Sequence, residues 1–76
     1  MIKQYEALVK AIVLQAVHDW RSAVRSLRTC PWYDRAREVR EDCEGFFCSD
    51  WFTALTNLDG RMVLRRLKQE EGIHDE

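Results

Sequence analysis

Residues 2–28, IKQYEALVKAIVLQAVHDWRSAVRSLR, contain neither glycine nor proline and decide the fold class. At about 100° per residue, Ile2, Tyr5, Val9, Ile12, Val13, Ala16, Trp20, Ala23, Val24 and Leu27 fall on one face of a helix. Lys3, Lys10, His18, Arg21, Arg25 and Arg28 fall opposite. The spacing predicts one long amphipathic helix from Ile2 to Arg28. Its back carries a second feature, because Ala7, Ala11 and Leu14 sit among the polar residues with His18 one turn beyond. Two readings stand for that stripe. It is a solvated face built from good helix formers, or a seam for self-association or a partner.

Working outward, Thr29-Cys30-Pro31 breaks the helix, since the residue before proline is pushed out of the α region and proline suits the first turn of a new one. A second helix is expected from Pro31, with Trp32, Ala36, Val39, Cys43 and Phe46/Phe47 on its apolar side. Arg35, Arg37, Glu38, Arg40, Glu41, Asp42 and Glu44 lie on the other, and Gly45 sits on that polar side near the end. Ser49 reads as an N-cap with Asp50 at the positive end of a short helix, Asp50–Leu55. Thr56-Asn57-Leu58-Asp59 has the spacing of a weak capping box, with Asp in the Glu/Gln place. A last helix then runs to about Lys68–Glu71, on which Gly60, Val63, Leu64 and Leu67 share a face. Gly60 either lets that helix approach its neighbours closely or sits at its frayed start.

The expected architecture is all-α: a small three-to-four-helix bundle with a long N-terminal helix. Residues 1–71 form a single helical domain, followed by a polar tail over 72–76. With 76 residues the chain buries only roughly 60–65% of its unfolded surface, so its eight aromatic residues matter to stability. A 46% hydrophobic content and a net charge of −1 argue against disorder. One proline, three glycines and no alternating stretch argue against an all-β sandwich or barrel. No apolar run approaches the ~18 residues of a membrane span, and the opening residues do not read as a signal peptide.

Three cysteines, Cys30, Cys43 and Cys48, make an odd set without a C-x-x-C pair, which favours a reduced, cytoplasmic setting. Charge is uneven along the chain. Residues 1–28 carry five basic and two acidic side chains, residues 29–59 three and seven, and residues 60–76 four of each. His18 and His74 are far apart, so no metal-ligand spacing is present and no cofactor is expected. No phosphate loop, nucleophile elbow or nucleotide fingerprint occurs, and Glu41, Asp42 and Glu44 read as a solvated face with Arg37 and Arg40 one turn before Glu41 and Glu44. The chain is therefore read as non-enzymatic, with no catalytic residue. Two basic groups remain as candidate partner or anion sites: Arg21, Arg25 and Arg28 on the first helix, and Arg61, Arg65 and Lys68 on the last. Convergent arginines can grip phosphate or an acidic protein surface, although the helix dipole favours bases near a C-terminus in any case.

The stretch Glu44-Gly45-Phe46-Phe47-Cys48-Ser49-Asp50-Trp51-Phe52-Thr53-Ala54-Leu55-Thr56-Asn57-Leu58-Asp59-Gly60, followed by Val63-Leu64-Arg65-Arg66-Leu67, resembles a widespread group of small proteins encoded by phages and prophages of Firmicutes. Their pattern is roughly FF-x-S-x-WF-x-x-LT-x-x-DG-x-x-(L/I)-x-x-L. The first helix, Leu8 to Val13 and Gln15 to Trp20, is also similar, so the likeness covers most of the chain. It departs at Gly45, where a helix former is usual, and at Cys48, where a basic residue is common.

The resemblance implies a phage protein acting in the bacterial host cytoplasm by stoichiometric binding, including anti-CRISPR-like inhibition of a defence protein or its nucleic-acid complex. An alternative is a helical homo-oligomer, joined through Ala7, Ala11, Leu14 and His18, that sequesters a nucleotide immune signal. A third is a phage regulatory or structural interaction module. A purely structural reading of the motif places Phe46, Phe47, Trp51, Phe52, Leu55 and Leu58 in a core at a helix junction, with Ser49 and Thr56 as caps and Asp59 and Gly60 at the last helix's start.

Overall fold

The computed structural model describes residues 2–73. Four helices follow one another, α1 (Ile2–Thr29), α2 (Asp34–Phe47), α3 (Asp50–Thr56) and α4 (Gly60–Glu70), and the described residues contain no strand. The all-α class and the long first helix are as read from the sequence. The chain divides into two compact units, Met1–Cys43 and Glu44–Glu76, with the boundary inside α2.

In the first unit, α1 runs uninterrupted for 28 residues. Burial along it is lopsided. Trp20, Ala23 and Val24 are buried, whereas none of residues 4–19 is. Val9, Ile12, Val13 and Ala16 are half-buried on the expected stripe, but Tyr5 on the same stripe is exposed. The last turn closes with the Cys30 amide donating to the Ser26 carbonyl at 2.8 Å.

α2 does not begin at Pro31. The Tyr33 amide donates to the Cys30 carbonyl at 3.1 Å, which places Pro31 at the second position of a four-residue turn. Only then does Asp34 open the helix, with a carboxylate at its positive end. Arg37 braces this entry, its Nη2 donating to the Pro31 carbonyl at 3.4 Å and its Nη1 lying 4.0 Å from Asp34 Oδ1. The consequence is a correction. Trp32 belongs to the turn rather than to the α2 stripe, and it is 75% exposed. The stripe itself stands, with Ala36, Cys43 and Phe47 buried.

In the second unit, one serine links two helices. Ser49 is the N-cap of α3, its Oγ accepting from the Phe52 amide at 3.1 Å and donating to the Phe46 carbonyl near the end of α2 at 2.6 Å. Ser49→Ala removes both bonds and is expected to destabilise the protein by about 1–2 kcal/mol. Urea unfolding checks this: an unchanged midpoint would show that water replaces both bonds at no net cost.

The expected capping box at Thr56 is not formed. Thr56 is the last residue of α3, where its Oγ1 donates to the Phe52 carbonyl at 2.8 Å and accepts from the Leu58 amide at 3.1 Å. Asn57 then adopts the left-handed conformation at φ 59°, and the chain turns before α4 begins. The N-cap of α4 is therefore Asp59, whose Oδ1 accepts from the Arg61 amide at 3.1 Å. Thr56 spends its hydroxyl closing α3, so it has none for the next helix.

At the other end, the Gly72 amide donates to the Gln69 carbonyl at 3.1 Å and the Ile73 amide to the Lys68 carbonyl at 2.8 Å. With Gly72 at φ 76°, these two bonds make a Schellman cap. Gly72 and Ile73, read as the start of a polar tail, thus complete α4. His74 and the rest of the expected tail lie outside the described residues.

Four aromatic rings organise this unit. Phe46 lies 5.7 Å from Phe47, 5.6 Å from Trp51 and 5.4 Å from Phe52, and Phe47 lies 5.5 Å from Phe52, mostly edge to face. Gly60 opens α4 against this cluster. A Cβ built there would stand 1.5 Å from the Phe47 carbonyl oxygen and 3.0 Å from Phe52 Cδ2. Gly60 is thus a close-approach glycine. Gly45 is the opposite case, with nothing within 4 Å of a Cβ.

Candidate binding surface

The FF-x-S-x-WF motif divides into a buried part and an exposed part. Phe47 and Phe52 are fully buried, Gly60 is buried, and Phe46, Ser49 and Thr56 are half-buried. Trp51 is 57% exposed and Leu58 is 53% exposed, which corrects the expectation that both lie in a core. The reason is geometric. A helix of seven residues can bury one narrow face, and Phe52, Leu55 and Thr56 occupy it at i, i+3 and i+4. Trp51 is one residue and about 100° away from Phe52, and its ring meets that of Phe46 edge to face. Leu58 lies in the turn between α3 and α4.

Leu58 and α4 carry a further apolar surface of this unit. Leu64 and Leu67 face inward, while Met62 is 64% exposed. Leu58, Met62, Val63 and Leu67 line a groove of about 400 Å³, with Asp59, Arg66 and Glu70 among its polar residues. Arg66 Nε lies 3.7 Å from Glu70 Oε2, one turn along the helix. Arg61 and Arg65, one turn apart, are exposed on the other flank of Met62, and Lys68 is half-buried at the end of the same stripe.

The predicted anion residues fall into two groups in two units. Arg61, Arg65 and Lys68 share a flank of α4, whereas Arg21, Arg25 and Arg28 follow one another along α1. Arg21, Arg25, Arg28 and Lys68 each have a partner within the protein. The candidate seam on α1 is open along its length, with Ala7, Ala11, Leu14 and His18 all exposed.

Cys30 is half-buried, Cys43 is buried and Cys48 is exposed, and all three are free thiols. Among the described residues no three His, Cys, Asp or Glu side chains gather as metal ligands, and no helix is long and apolar enough to cross a membrane. Sequence reading missed the exposure of Trp32, Leu58 and Met62. Periodicity reports which face a residue lies on only where a helix has a buried face to report, and Trp32 and Leu58 lie in turns.

The class defined by these features is a small all-α scaffold that displays aromatic, methionine and arginine side chains. No family model, curated protein or solved structure matches the chain.

Proposed function

We propose that this chain is a phage-encoded accessory protein that inhibits a bacterial defence system by stoichiometric binding, in the manner of an anti-CRISPR protein, and catalyses no reaction. The observation that carries this reading is Trp51, a tryptophan held 57% exposed inside the motif that resembles the phage group. Burying a large aromatic ring at home would stabilise a small domain, and binding energy at protein interfaces concentrates in Trp, Tyr and Arg anchors. Met62 and Leu58 supply further exposed apolar area in the same unit, and Arg61 and Arg65 supply positive charge beside Met62. The partner that fits is a defence effector in the host cytoplasm with an apolar pocket bordered by carboxylates, or by the phosphates of its bound nucleic acid.

Trp51→Ala tests the reading. It is expected to weaken binding to the effector by about thirtyfold or more, as for an interface hot spot. Phage titres on defence-positive bacteria should fall accordingly, while helix content by circular dichroism stays that of the parent. A Trp51→Ala protein that protects phage as well as the parent would sink the proposal. Salt then separates the two kinds of partner: contacts from Arg61 and Arg65 to nucleic acid weaken steeply with ionic strength, and apolar docking does not.

A further inference from the structure

The first unit contains a cleft between α1 and α2. Its volume is about 350 Å³, within the range of small-molecule sites. Its floor is shallow because Ala23 and Ala36, both buried, meet there with only methyl groups. Five polar side chains line it: Asp19, Ser22 and Ser26 from α1, Tyr33 from the turn, and Arg35 from the first turn of α2. On α1 the spacing is i, i+3 and i+7, which stacks the three along one face.

These groups are poorly used by the protein itself. Asp19 has one hydrogen bond, its Oδ1 accepting from Gln15 Nε2 at 2.8 Å, which holds the carboxylate in place and leaves its other oxygen open. The side chains of Ser22, Ser26, Tyr33 and Arg35 have no hydrogen bond or ion pair among the described residues. Serines inside helices commonly bond back to the carbonyl four residues earlier, and neither of these does. Arg37, two residues further along, is engaged with Pro31 and Asp34, so Arg35 stands out as the guanidinium at this cleft.

From this arrangement we infer that the cleft is a binding site for a nucleoside 5′-monophosphate. Each part of that ligand has a matching group. A carboxylate such as Asp19 accepts from ribose hydroxyls, which is how acidic residues recognise ribose in dinucleotide folds. Arg35 pairs with the phosphate through two parallel N–H donors. The Tyr33 ring, 47% exposed, offers a face on which any base can stack. The Ser22 and Ser26 hydroxyls both donate and accept, and they line the α1 side of the cleft. A free amino acid would satisfy Asp19 and Arg35 but leave the serines and the ring idle.

This site is separate from the Trp51 surface and does not depend on the inhibitor reading, which a silent cleft would leave intact. The test is a titration of the ¹⁵N-labelled full chain with AMP, followed by amide chemical shifts. Saturable shifts are expected at Ser22, Ser26, Tyr33 and Arg35. Arg35→Ala should weaken AMP binding about tenfold or more. The 2′-deoxy nucleotide should bind the parent several-fold more weakly than AMP, and Asp19→Asn should abolish that difference. Arg35 is exposed and Asn keeps the Gln15 bond, so both variants are expected to fold. No saturable shift at these residues, inorganic phosphate binding as well as AMP, or an Arg35→Ala protein with parental affinity would each overturn the assignment.

Discussion

Gly60→Ala is expected to destabilise the protein by about 3 kcal/mol or more, at the upper end of overpacking costs. On an exposed helix the same change would stabilise by ~1 kcal/mol, because alanine is the better helix former. Sterics decides the sign here. The added methyl would lie 1.5 Å from the Phe47 carbonyl oxygen and 2.6 Å from its carbonyl carbon, far inside van der Waals contact with backbone that no rotamer change can move. Relief requires α4 to shift away from the end of α2, opening the cluster around Phe47 and Phe52. A domain of 76 residues has a total stability of roughly 4–11 kcal/mol, so the variant loses between about a quarter and three quarters of it. In thermal unfolding followed by circular dichroism, the midpoint should fall by ~12 °C or more. A midpoint within a few degrees of the parent would mean that α4 begins further from Phe47 than described.

The second large effect is expected at Phe52. Its side chain is fully buried and meets Phe46 at 5.4 Å and Phe47 at 5.5 Å, both edge to face. Phe52→Ala deletes the ring from the middle of the cluster, and α3 is too short to collapse into the space while Ser49 and Thr56 hold its ends. The cost expected for such a cavity is about 3–5 kcal/mol. Phe52→Leu, which refills most of the volume, should recover more than half of it. The internal control is the adjacent residue: Trp51→Ala removes one edge contact with Phe46 and should cost only about 0.5–1.5 kcal/mol. Urea unfolding of the three variants measures the contrast. Equal losses at 51 and 52 would show that Trp51 is packed as a core residue, which would also remove the basis for the binding surface proposed above.

The amino-acid sequence by itself determined the helices, because their causes are local. An unbroken 3.6-residue pattern over residues 2–28 specified α1, Ser49 specified the start of α3, and Ala36, Cys43 and Phe47 marked the inward side of α2. Hydrogen bonds within a few residues and the spacing of apolar groups suffice for such features. Where two local solutions compete, the sequence pattern pointed to the one not adopted. Pro31 read as opening a helix and Thr56 as capping the last one, whereas a backbone hydrogen bond sets Pro31 in a turn and the Asp59 carboxylate caps α4.

Tertiary structure alone decided how much of each ring is covered. Trp20 and Trp51 both lie in helices and both read as members of an apolar face, yet one is fully buried and the other 57% exposed, since burial depends on what a remote part of the chain brings alongside. The same holds for Gly60, whose need to be glycine comes from the Phe47 carbonyl thirteen residues away. It holds also for the cleft of the first unit, where Asp19 and Arg35 become neighbours only when α2 folds back along α1. Local chemistry writes helices and caps; closeness between residues distant in sequence is a property of packing.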